Sequence, residues 1–134
     1  MKTNLYKIIA AVIAIIFSLL TIVEGSQVLL GLSVPGYSIF TPLLVYNIIM
    51  GLIGLFTSFV IWANTKKAMT YIKIILAAHT TVMAIVIFIH LMSTAISMHS
   101  VHAMIVRVAV WLMIASLIWK SNKSIINRNI TEKL

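Results

Sequence analysis

Four long apolar runs, at residues 5–24, 40–63, 68–94 and 101–119, alternate with short polar segments along this 134-residue chain. Each approaches or exceeds the length at which an α-helix crosses a bilayer core of about 30 Å. The pattern predicts an all-α membrane protein, a bundle of four transmembrane helices joined by short loops and forming one domain over residues 1–119. The first helix has room to run on through "GSQVLLGL" before a turn at Pro35-Gly36. Thr41-Pro42 offers a cap and a first helical residue for the second span, Asn64-Thr65 ends it, and Ser100 is placed to cap the fourth. Residues 120–134 are polar and basic, and are expected to form a cytoplasmic tail that is partly disordered or folded as a short surface helix.

Within two runs small residues recur at helical spacing. Ala10, Ala14, Ser18, Thr21 and Gly25 form one stripe, and Asn47, Gly51, Gly54 and Ser58 form another. Such stripes let membrane helices approach closely.

Composition agrees with the pattern. The chain is 62% hydrophobic and 9% charged, against about 45–50% apolar and about 25% charged in soluble domains. A net charge of +8 would suggest nucleic acid in a soluble protein. Here the basic residues gather between apolar runs with no interleaved aromatics, so nucleic acid is not an expected partner and the lipid bilayer is. Cysteine is absent, which excludes disulfides and thiolate chemistry. The basic start and the apolar run from Ile8 to Val23 resemble a secretory leader, but no small-residue cleavage site follows, so a retained first span is expected.

Charge placement sets the orientation. Lys2 and Lys7, then Lys66, Lys67 and Lys73, then Lys120, Lys123, Arg128 and Lys133 mark the N-terminus, the middle loop and the tail. Loops 25–38 and 95–100 hold no Lys or Arg. The positive-inside rule then puts both termini on the cytoplasmic side of the plasma (cytoplasmic) membrane.

One charge breaks the pattern. Arg107 stands inside the fourth run, where a lone guanidinium costs roughly 2.5–3.5 kcal/mol on insertion scales. Of the two carboxylates, Glu132 belongs to the tail, leaving Glu24 as the partner within the membrane. Counting residues puts Arg107 roughly 10 Å and Glu24 roughly 5 Å below the outer surface, a gap an arginine side chain spans. A Glu24–Arg107 pair is therefore expected. With Asn47 and the adjacent Tyr46 it makes a polar layer in the outer half, serving as a structural ion pair or as the anchor of a ligand group such as a quinone carbonyl, a lipid phosphate or a carboxylate.

The histidines offer a second chemistry. His90, His99 and His102 fall at the outer end of the third and fourth spans, with Met98 among them. Imidazole with thioether suits copper, and three imidazoles suit zinc. His79 stands near mid-membrane, where b-type haem would need a second histidine of equal depth, or where a hydrogen bond to another span would satisfy the ring. With no Asp, no Gly-x-Ser-x-Gly elbow and no phosphate-binding loop, an enzyme is not the expectation. The leading expectation is a non-enzymatic accessory or assembly component of a membrane-protein complex, or a homo-oligomer. Its alternatives are a ligand- or metal-handling protein (copper, zinc, haem or quinone) and a small homo-oligomeric transporter.

Overall fold

The computed structural model describes residues 2–134, with side chains from Leu5 onward; the Lys2 side chain lies outside the described residues. The chain folds into four α-helices: α1 (Lys2–Leu29), α2 (Thr41–Ala63), α3 (Thr65–Met92) and α4 (Met98–Lys133). All four are long and apolar enough to cross a membrane. α1 packs against α2 and α4, and α3 completes the ring by packing against the same two. One end of the ring carries the α1–α2 and α3–α4 connections. The other carries both termini and the α2–α3 turn.

The helix ends follow local chemistry more closely than the apolar runs do. α1 stops at a Schellman turn, in which the Gly31 and Leu32 amides donate to the Val28 and Gln27 carbonyls at 3.1 and 2.9 Å. Gly31 takes φ +73°, the left-handed conformation that glycine adopts without cost at this position. The cap of α2 is Phe40, not Thr41, with Pro42 inside the first turn, where its missing N–H has no partner to lose. The cap of α4 is Ser97, not Ser100: its hydroxyl accepts from the Ser100 amide at 3.4 Å. Asn64 alone separates α2 from α3. It ends the former, and its Oδ1 accepts from the Lys66 and Lys67 amides, 3.1 and 3.3 Å away, to start the latter.

The expected tail takes a different form. α4 continues without interruption through residues 120–133, because no glycine or proline follows Met98 to stop it. A hydrogen bond of 3.3 Å from Asn122 Nδ2 to the Thr65 carbonyl ties its lower part to the start of α3.

Large apolar side chains cover the outside of the ring, among them Leu20, Phe56, Phe59, Ile74, Phe88 and Val106. Along the α1–α2 seam the buried residues are small. Ala10, Ala14, Ser18 and Thr21 of α1 are buried, and so are Gly51, Gly54 and Ser58 of α2. The approach is close: a Cβ on Gly54 would lie 2.5 Å from Ser18 Oγ and 2.9 Å from Trp111 Cζ2. Three of the buried hydroxyls donate within their own helices, Thr21 to the Phe17 carbonyl, Thr57 to that of Ile53 and Ser58 to that of Leu55, so close packing does not strand these donors.

Two apolar cores result. One joins Ala10, Ala14, Met50, Ile72, Trp111 and Ile114; the other, at the connection end, joins Leu43, Val86, Ile96, Val101 and Met104. Between these cores each of α2, α3 and α4 carries polar residues that are at least partly buried: Tyr46 and Asn47, His79, and Arg107.

Candidate functional site

Asn47 and Arg107 of this layer line a cavity of about 140 Å³. α1 contributes Thr21, Glu24 and Gly25, α2 contributes Leu43, Leu44 and Asn47, and α4 contributes His99, Ser100 and Arg107. The α1–α2 connection folds across the end of the ring and roofs the cavity with Tyr37, Ile39 and Phe40. The Tyr37 ring stacks on His99 at 4.3 Å between centroids, fastening the roof to the first turn of α4.

Arg107 is the centre of this arrangement. It lines the cavity, a narrow gap of about 10 Å³ beside His79 and Trp111, and an outward-facing recess of about 320 Å³ between α1 and α4. Glu24 shares both the cavity and the recess. Among the described residues the two make no direct ion-pair contact, but the Glu24 charge acts on the guanidinium across this shared space. Geometry explains the difference from the expected direct pair. Glu24 is exposed at the rim, beyond the stripe of small residues that turns into the bundle, whereas Arg107 reaches inward toward His79 and Trp111.

Asn47 adds a second unmatched group. Its Oδ1 is buried and accepts no hydrogen bond, a state it shares among the described residues only with Oδ1 of Asn122. A buried carbonyl oxygen without a donor costs about 1–3 kcal/mol. The cavity wall therefore presents a guanidinium with no hydrogen-bond acceptor among the described residues, an amide oxygen with no donor, and a carboxylate at the mouth.

The remaining sequence candidates separate into distinct surroundings. Tyr46 and His79 share a hydrogen bond of 3.1 Å between the phenolic oxygen and Nδ1, joining α2 to α3, and their rings meet edge to face. His79 is buried and is satisfied by this contact. His90 turns back on its own connection, where its Nδ1–H donates to the Ile96 carbonyl at 2.8 Å. His99 stacks on Tyr37, His102 lines the α1–α4 recess, and Met98 is exposed. The expected grouping of His90, His99 and His102 is not assembled: among the described residues no three His, Asp or Glu side chains converge as metal ligands do. The connection folds His90 inward to satisfy a backbone carbonyl, while His102, one turn into α4, faces α1.

Tyr37 is the cavity residue that sequence reasoning missed. Its signal was a lone aromatic between Pro35-Gly36 and the start of α2, a position with no periodicity to say where it turns.

Together these features define an all-helical protein with four helices of membrane-crossing length and a polar cavity at one end of the ring. No family model, curated protein or solved structure matches the chain.

Proposed function

We propose that this protein is an integral protein of the cytoplasmic membrane, with both termini and the α2–α3 turn inside, that binds a small organic molecule carrying an anionic group at Arg107. The observation that carries the reading is a partly buried guanidinium that lines a cavity and has no hydrogen-bond acceptor among the described residues. A cation held at membrane depth is stabilised by an anion or by water, and the neighbouring unpartnered Asn47 oxygen favours a molecule that fills the space with polar groups of its own. Lysine placement supports the orientation: Lys66, Lys67, Lys73, Lys120 and Lys123 all lie at the end of the ring that bears the termini. The role is that of a binding or accessory component of the membrane rather than an enzyme.

The size of the cavity limits the guest. A cavity of about 150 Å³ in another protein admits a benzene-sized molecule, so 140 Å³ suits a headgroup or a small metabolite and excludes a porphyrin. The test is thermal unfolding in mild detergent with short-chain phosphatidic acid, phosphatidylglycerol and phosphatidylethanolamine added in turn. At least one should raise the unfolding temperature of the native protein and leave that of Arg107→Gln unchanged. Equal responses of the two proteins to all three would refute the assignment.

A further inference from the structure

The guest can be specified further, on the reading just given. Arg107 and Glu24 face the same cavity and the same recess with no ion pair between them among the described residues, so the site holds one positive and one negative group apart across a shared space. Their formal charges sum to zero. A purely anionic guest would leave the site with a net negative charge, and in a low-dielectric surround an uncompensated charge is costly. A guest with its own separated charges meets both groups and leaves none over.

The hydrogen-bonding groups point the same way. Arg107 supplies only donors, whereas the Glu24 carboxylate and Asn47 Oδ1 supply only acceptors. Asn47 Oδ1 is buried and without a donor, so the positive end of a matching guest must carry N–H groups; a quaternary ammonium has none to offer. The apolar part of the lining, Val28, Leu43 and Leu44, packs against a short carbon linker rather than a third charge.

The recess indicates how such a guest arrives. It lies between α1 and α4, with Leu20 and Val106 on its sides and Glu24 and Arg107 within it. Leu20 and Val106 are exposed on the outside of the ring, where lipid chains would lie, so the charged groups can be reached sideways from the bilayer.

We infer that the site takes a zwitterion, with an oxyanion on the Arg107 guanidinium and a primary ammonium on Glu24 and Asn47 Oδ1. The source of this chemistry is either an aminophospholipid headgroup or a free aminoalkyl phosphate.

Native mass spectrometry of the full chain in detergent tests the inference, using chain-matched phosphatidylethanolamine, phosphatidylglycerol and phosphatidylcholine. The native protein should retain phosphatidylethanolamine roughly tenfold better than either of the others, about the effect of one charge-assisted hydrogen bond. Glu24→Gln should bring phosphatidylethanolamine down to the level of phosphatidylglycerol, and Arg107→Gln should release both. Soluble phosphoethanolamine separates the sources. If it displaces the lipid, the headgroup alone is recognised; if it does not, the intact lipid is the ligand.

Phosphatidylglycerol bound as well as phosphatidylethanolamine by the native protein would overturn the zwitterion and leave the anion site at Arg107 standing. Phosphatidylcholine bound as well would overturn the N–H contact to Asn47. Retention of no lipid by any of the proteins would overturn both this inference and the function on which it rests. The comparison among lipids uses the native protein alone, so it does not depend on any variant folding.

Discussion

α1 meets its two neighbours in opposite ways. Toward α2 it presents Ala10, Ala14 and Ser18 to Gly51, Gly54 and Ser58, and the backbones close until an added Cβ has no room. Toward the outer part of α4 it presents Phe17, Leu20 and Glu24 to His102, Val106 and Arg107, and a recess of about 320 Å³ remains. Water supplies no hydrophobic drive between helices in lipid, so side-chain size sets their separation. Small residues produce adhesion along one seam. Longer side chains leave the other seam open where Glu24 and Arg107 stand.

This contrast is easiest to break at Gly54. Gly54→Val should cost about 1–3 kcal/mol or more, seen as a large fall in unfolding temperature in detergent, because its Cβ meets both Ser18 and the Trp111 ring. Gly51→Ala should cost clearly less, since its closest neighbour is the movable Ile22 side chain at 2.7 Å. An equal fall for the two would mean that the seam is looser than described.

Tyr46→Phe comes next. It removes the partner of His79 Nδ1 inside the ring and should lower stability by about 1–2 kcal/mol. Adding His79→Leu should recover part of the loss, since no polar group is then stranded. A double variant no better than the single one would separate the two residues energetically. Ser97→Ala, which deletes the α4 cap, should cost about 1 kcal/mol, checked by the same melts.

The smallest effect is expected on the open seam. Arg107→Gln should leave the unliganded protein within about 0.5 kcal/mol of the native value, because it ends a through-space attraction to the exposed Glu24 rather than a contact. A direct ion pair with Glu24 would instead lose about 3–5 kcal/mol. A fall of that size would restore the paired arrangement and close the contrast between the seams.

The tight seam was legible in the sequence and the open one only in outline. Small residues at helical spacing identify a contact face by arithmetic, and the residues of both stripes from Ala10 to Ser18 and from Gly51 to Ser58 are buried. The four helices follow equally from apolar length. Their ends do not, because Gly31, Ser97 and Asn64 act through single hydrogen bonds that hydropathy ignores, and because a polar stretch such as residues 120–133 remains helical when nothing interrupts it.

Counting residues placed Glu24, Asn47 and Arg107 at similar depth, and all three line one cavity. It could not place them in azimuth to within a side chain's reach, and the difference between contact and separation lies there. The histidines illustrate the same limit. Their closeness along the chain says nothing of His90 folding back on Ile96 while His102 faces α1.

One consequence of the unbroken α4 is mechanical. Ile130 lies on the same hinge-free helix as Arg107, about 35 Å further along its axis. A tilt of about ten degrees centred on Arg107 would carry that distant point through about 6 Å, by lever geometry from the helical rise. A change of tilt at the cavity end of α4 is thereby magnified at the other end of the ring, and α4 has the shape of a pointer whose short arm borders the cavity.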